Sequence, residues 1–391
     1  MTRAPAKGLP TPQEFEEQLA RFINGTLLGG NAAVDRDSRL FEDGYMNSLR
    51  ILDLIAMVEK TLDRRVPDRA VRLANFRTIA TIVRAFHPDA TSEAAASTTP
   101  DRIFERRENR ARFAAPLAAL RARGDVELGG PGRVALSGFA LDVLQAVDHT
   151  VSQWARELNA TEHRYPSLID PHVLKRAGKA DSVPEDLTLH NDMFPPAVCY
   201  HAYPEWEGKT LRPEPTLLTA RGRCSRYEDG SYVPLERLRQ FTMREIIILG
   251  SRDQVDDARH SLVRQVSELV TMLELDAAID LAADPFFTSA DEGRRLMQQA
   301  GALKCELRLT IDEAGRTIAA ASFNHHQDFF GTRFDIRLAD GTPAHSGCVA
   351  FGLERWVLAL LTQHGVDARA WPASVRDWLE DARGTTRGVG A

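Results

Sequence analysis

Long apolar runs are missing from this chain. None approaches the ~20 residues that a membrane-spanning helix needs, so no membrane partner is expected. Met1–Pro10 lacks the apolar core of a secretion signal, which makes the cytoplasm the expected location. A basic excess is missing too: Lys+Arg number 49 against 55 Asp+Glu, a net charge of −6. Proteins that live on a nucleic-acid backbone usually carry the opposite balance, so nucleic acid is disfavoured as the main partner. Cysteine is scarce, with Cys199, Cys224, Cys305 and Cys348 and no CxxC pair. That spacing excludes a zinc finger or a disulfide framework, but not a metal site assembled from distant parts of a fold. No repeat of fixed period is present. What remains is an ordinary globular mix, 43% apolar and 27% charged over 391 residues, enough for two or three domains.

The composition breaks once. Residues 89–100 are small and polar with no large apolar side chain, the composition of a flexible linker. A dozen such residues, at roughly 5–6 Å × √n, would span about 20 Å on average. On one side, 11–88 reads as a small helical bundle. Thr11-Pro12-Gln13-Glu14 is a capping box with Pro at the first helical position, followed by Phe15, Leu19, Phe22 and Ile23 at helical spacing. Asn47 and Ser48 stand as N-cap residues before Leu49, Ile51, Leu52, Ile55 and Val58. Val66-Pro67-Asp68 breaks the chain, and Ile79, Ile82, Val83 and Phe86 form a last helical face. On the other side, 101–385 mixes periods. Residues 253–275 and Val349–Thr362 read as helices; Thr216–Cys224, Gln240–Leu249, Lys304–Ile311 and Thr317–Phe323 read as strands. Polar loops at 225–237 and 312–316 suggest hairpins, hence an antiparallel sheet surrounded by helices and an α+β class.

Phe41-Glu-Asp-Gly-Tyr-Met-Asn47-Ser48-Leu49 resembles the attachment loop of acyl and peptidyl carrier proteins, with Asn where Asp is usual. A hydroxyl at a helix N-terminus is exposed, and a phosphodiester there meets free N–H groups and the positive end of the dipole. The resemblance implies 4'-phosphopantetheine on Ser48, installed by a phosphopantetheinyl transferase. Serving only as an N-cap is the plainer role open to Ser48.

The larger piece resembles the catalytic domain of class II aminoacyl-tRNA synthetases of the seryl type. Thr219-Ala-Arg-Gly-Arg-Cys-Ser-Arg226-Tyr-Glu228 looks like the outgoing motif 2 strand, and Leu238-Arg-Gln-Phe241 with Glu245 looks like its return. Ser322-Phe-Asn324-His-His-Gln-Asp328-Phe is similar to the seryl-type Ser-Asn…Asp-Phe stretch, and Gly347-Cys348-Val-Ala-Phe-Gly-Leu-Glu354-Arg355 to motif 3. The likeness implies roles. Arg226 would neutralise the α-phosphate of ATP, Glu228 would hold the adenine end, Phe241 would stack on adenine and Leu238 would line its pocket. Arg355 would hold the γ-phosphate, while Lys304 and Ser322 would add nucleotide contacts. An arginine suits this work because it keeps its proton beside a developing anion. Magnesium is implied with ATP, yet Ile318 or Ala319 stands where the family has a metal-binding Glu.

Atypical seryl-tRNA synthetases, and the amino acid:carrier-protein ligases related to them, bind Zn2+ through Cys, Glu and Cys. Cys199, Glu245 and Cys348 occupy the matching places, so the resemblance implies zinc there, with Glu245 and Asn324 also facing the amino acid. Two thiolates and a carboxylate leave one tetrahedral position open, the arrangement of a working rather than a structural zinc. Cys224 and Cys305 have no part in this scheme and are expected in the core. His325 and His326 are expected to shape the pocket without acting as ligand or base. The implied activity is ATP-dependent formation of an aminoacyl-adenylate and transfer to the phosphopantetheine thiol of a carrier protein, here the fused one. A homodimer is implied, because class II catalytic domains pair through motif 1. No tRNA is expected, since a carrier-like bundle stands where a tRNA-binding arm would be. Two alternatives stay open: a seryl-type tRNA synthetase with an unusual appendage, and a non-catalytic nucleotide-binding scaffold.

Overall fold

The computed structural model describes residues 9–30, 34–40, 45–46, 50–66, 70, 73–89, 102–107, 116–178, 188–189, 192–226, 231–282 and 303–388. The chain divides into two compact units, Met1–Asp101 with Leu281–Cys305, and Arg102–Asp280 with Glu306–Ala391.

The first unit is helical. Helix α1 (Pro12–Arg21) opens on the Thr11 capping box and widens into a π-helical stretch, Phe22–Leu27. Helices α2 (Arg50–Leu62), α3 (Leu73–Phe76) and α4 (Ile79–Phe86) follow. Their apolar stripes meet in one core around Phe15, Leu19, Ile51, Leu54, Phe76 and Ile82, all fully buried. Asn24 pins the long connection: its Nδ2 donates to the Val34 carbonyl at 2.9 Å and its Oδ1 accepts from the Val34 N–H at 2.7 Å. The Asn47-Ser48-Leu49 attachment loop lies outside the described residues, as does the linker at 90–100.

The second unit, with the adjoining Leu281 and Lys304–Cys305, is built on a sheet of eight strands among the described residues. In chain order these are β1 (Arg102–Arg106), β4 (Thr161–His163), β7 (Thr216–Ser225), β8 (Gln240–Gly250), β9 (Ala277–Leu281), β10 (Lys304–Thr310), β11 (Thr317–Gln327) and β12 (His345–Gly352). Their spatial order is β1-β9-β10-β11-β12-β8-β7-β4. The pairs β1/β9, β11/β12, β12/β8 and β7/β8 are antiparallel, and β4 joins β7 in parallel. Short ribbons β2 (Val126–Leu128) with β3 (Val134–Leu136), and β5 (Thr188–Leu189) with β6 (Asp192–Met193), stand apart from it. The helices are α5 (Pro116–Ala122), α6 (Gly138–Glu157), α7 (Pro171–Arg176), α8 (Ala202–Glu205), α9 (Arg252–Met272), α10 (Phe329–Arg333), α11 (Leu353–His364) and α12 (Ala373–Gly388). This antiparallel-dominated sheet flanked by helices meets the α+β expectation.

One boundary differs from the sequence reading. Val349–Thr362, expected as a single buried helix, divides into the end of β12 and helix α11. Val349, Ala350 and Phe351 lie in an interior strand covered on both faces, and such a run has no alternation by which periodicity could recognise it.

Arg244 shows how the sheet is backed. On β8 it points away from Glu245 and reaches α6, where its Nε donates to Asp148 Oδ1 at 2.7 Å and its Nη2 to Oδ2 at 3.3 Å. Arg221, opposite it on β7, adds a 3.0 Å contact to the same carboxylate. Both side chains of the Arg244–Asp148 pair are largely buried. Arg244→Met strands the Asp148 charge, and breaking a buried pair this way costs about 3–5 kcal/mol. Urea denaturation should show that loss; an unchanged midpoint would mean Arg221 suffices alone.

Candidate active site and metal centre

Register decides what shares a face. Paired residues project to the same side, so Ser322 and Asn324 of β11, Cys348 of β12, and Phe241 and Glu245 of β8 all stand on one face of the sheet. Helices α6, α9 and α11 pack on the other face. Onto the first face folds the segment Val198–His201, a 3-10 turn leading into α8, which delivers Cys199. Its close approach depends on Gly222 of β7, where a Cβ would lie 3.0 Å from a Val198 methyl.

Cys199, Glu245 and Cys348 converge there, with one ligand atom of each within 4.8 Å of the others. Among the described residues no other group of three metal-ligating side chains gathers in this way. All three are buried, Glu245 completely. Glu245 Oε1 accepts from the Val198 N–H at 2.6 Å, whereas Oε2 finds no hydrogen-bond partner among the described residues. A buried, half-satisfied carboxylate between two thiols is costly unless a cation completes it. Contact with the Cys348 thiol, burial and the Glu245 charge hold Cys199 well above the ordinary thiol range, and burial raises Glu245 despite the Val198 hydrogen bond. Two soft thiols and one carboxylate suit zinc. The residues present therefore fit that ion.

The other candidates take separate positions. Arg226 extends past the end of β7, donates from Nε to the Pro196 carbonyl at 3.0 Å, and lies 5.4 Å from the Phe241 ring centroid. The Pro196 bond ties it to the segment that carries Cys199. Leu238 is buried just ahead of β8. Arg355, in the first turn of α11, donates from Nε to the Glu236 carbonyl and from Nη1 to the Ala319 carbonyl, both at 2.9 Å. Its neighbour Glu354 is buried and takes the Thr242 N–H on both oxygens at 2.9 Å, which fastens α11 to β8. Lys304 opens β10 and is buried. Glu228 lies outside the described residues. Asn324, expected toward the amino acid, turns its Nδ2 to Ser322 Oγ at 3.1 Å and to Cys348 Sγ at 3.4 Å. The neighbouring histidines are split by strand alternation: His326 stays beside Cys348, while His325 turns to α9 and Asp256. Tyr203, fully buried and stacked on Phe330 with ring centroids 3.8 Å apart, closes this end of the site, and no motif in the chain singles it out. Cys224 and Cys305 are buried, as expected of core residues.

Residues 192–364 match the tRNA synthetase class II core domain (G, H, P, S and T). Amino acid--[acyl-carrier-protein] ligase 1 of Bradyrhizobium diazoefficiens is 37% identical over 57% of this chain and 65% of its own length, just under two thirds. Ligase 2 of the same organism is 31% identical over 67% of this chain and 87% of its own length. Among solved structures, seryl-tRNA synthetase of Methanopyrus kandleri, crystallised with an Aquifex aeolicus tRNASec, superposes with a TM-score of 0.62 at 21% identity, covering 79% of this chain and 68% of that one. That likeness concerns the fold alone. The shared core and the extended identity to both ligases lead to one assignment: the chain belongs to the amino acid--[acyl-carrier-protein] ligase family, built on a class II synthetase catalytic core.

Proposed function

We propose that this ligase activates an amino acid with Mg2+-ATP and passes it to the phosphopantetheine thiol of a carrier protein, with its own N-terminal bundle as the carrier. The observation that carries this reading is the convergence of Cys199, Glu245 and Cys348 on the face that also presents Phe241. In the first half-reaction a carboxylate oxygen of the amino acid attacks the α-phosphorus, and pyrophosphate leaves. In the second the thiolate attacks the acyl carbon, and AMP leaves. Arg226 neutralises the charge that builds on the α-phosphate, where a pre-set donor acts without reorganising. Phe241 offers its ring to adenine, Leu238 and Glu228 close that end, and Arg355 engages the γ-phosphate, with Lys304 and Ser322 adding contacts. Cys199, Glu245 and Cys348 would hold zinc, which when bound supplies a Lewis acid for the substrate's free amine. Requiring an amine separates amino acids from hydroxy acids of the same shape. The same reading makes the working form a homodimer.

Pyrophosphate exchange across the twenty amino acids, followed by transfer to carrier or to tRNA, tests the activity. Exchange with no amino acid would leave a nucleotide-binding scaffold, and transfer to tRNA in place of carrier would make the chain a tRNA synthetase. The fused carrier is tested separately by intact mass. With coenzyme A and a phosphopantetheinyl transferase the chain should gain one pantetheine arm on Ser48, then an aminoacyl group with ATP and substrate. Tethering raises the effective carrier concentration to the order of millimolar, so a tight docking interface is not required. The Ser48→Ala chain should accept neither addition; if it accepts both, the bundle is not the carrier.

A further inference from the structure

The reading above leaves His326 without a task, yet its ring is held on both sides. His326 Nε2 lies 3.8 Å from Cys348 Sγ. Nδ1 faces two hydroxyls, Ser346 Oγ at 3.2 Å and Tyr203 Oη at 3.4 Å. Ser346 and Tyr203 are both fully buried, so neither hydroxyl turns to bulk water. Phe330 meets the ring edge-on at a centroid distance of 5.0 Å. A hydroxyl can donate to a ring nitrogen or accept from it; when Nδ1 accepts, a neutral imidazole carries its proton on Nε2. That proton points at the Cys348 sulfur. His326 itself is not a member of the set whose ligand atoms close on one point. Asn324 Nδ2, 3.4 Å from the same sulfur, provides a second N–H.

Resting on the zinc reading, we propose that His326 is a positioning residue for the metal centre: its Nε2–H donates to the Cys348 thiolate, with Ser346 and Tyr203 fixing the tautomer, and Asn324 completes a pair of N–H···S contacts. Two donors on one sulfur draw charge from it and orient its lone pairs toward the shared point. Among the described residues no such pair of N–H groups meets Cys199, so the two thiols would be unequal donors. Partners of this kind, one bond removed from a metal, typically change metal affinity by about 10–100-fold.

The test uses the full-length chain and Co2+ as probe, read by the sulfur-to-cobalt charge-transfer band and by the rate of metal release to a chelator. His326→Ala should shift that band to lower energy, since an undamped thiolate is the better electron donor, and should speed release by about 10–100-fold. His326→Gln, whose amide N–H can reach the sulfur, should restore much of both, while Ser346→Ala should give a smaller change in the same direction. Circular dichroism separates these effects from unfolding. Full cobalt uptake with an unshifted band and wild-type release in His326→Ala overturns this inference and leaves the zinc reading intact. A wild-type chain that takes up no cobalt overturns the zinc reading and this inference together.

Discussion

Cys348→Ala should leave the purified chain without zinc and without amino-acid-dependent pyrophosphate exchange. Three ligands with one open position leave no redundancy, and removing a thiolate leaves Cys199 and Glu245, which cannot hold the ion alone. The expected loss of affinity exceeds the roughly 100-fold that a mere outer partner of a ligand can cost. The fold should survive, because Ala keeps the β12 ladder to Ile247 and Asn324 and removes only one sulfur atom from the interior. Cys224→Ala is the matched control: that thiol is equally buried but stands outside the converging set, so zinc content should not change. Uptake should also weaken as pH falls. Cys199 and Glu245 are both raised, so each binds its proton more tightly than usual, and metal must displace those protons to bind. Titration with a competing chelator at two pH values measures this. Stoichiometric zinc in Cys348→Ala, or affinity that rises on acidification, would sink the assignment.

Arg226→Ala should slow adenylate formation by about a hundredfold to a thousandfold, the loss of roughly 2.7–4 kcal/mol that removing one donor from a developing oxyanion costs. The effect belongs mainly in kcat, because the charge on the α-phosphate grows as the new bond forms. Arg226→Lys should recover little, since an ammonium cannot both keep the Pro196 contact and present a planar fork to phosphate. Arg355→Ala should also slow exchange, with a larger share in KM for ATP, if its task is to hold the terminal phosphate. Near-normal exchange in Arg226→Ala would mean the motif 2 arginine has been misplaced.

Much of this was legible in the linear chain because several signals are local. A capping box is readable wherever Thr and Glu stand three apart, and α1 begins on it. Strands β7 and β8 follow from β-branched runs around a polar loop. The motif residues Arg226, Phe241 and Glu245 stood out because their type and order resemble a family's motif 2. The β12–α11 boundary was not legible, since a strand covered on both faces and a buried helix write the same apolar run. Nor was the separation of His325 from His326, which adjoin in the chain and part only when β11 alternates.

The linear chain carried the α+β class and the helical reading of its first piece, because composition and periodicity are properties of neighbours along the chain. The residue types for activating a carboxylate came from the likeness of its motifs to a family. Resemblance had grouped Cys199, Glu245 and Cys348; tertiary structure brings them, from three distant segments, within 4.8 Å of one another. Strand register places two of them on one face, and a glycine on β7 gives the third room to approach. It also turned Asn324 toward a sulfur and gave His326 two hydroxyl neighbours, because side chains far apart in sequence become partners only when a register is chosen. The physical reason is the same in each case: a β-ladder converts sequence order into spatial order, and only the pairing of strands states which residues share a face.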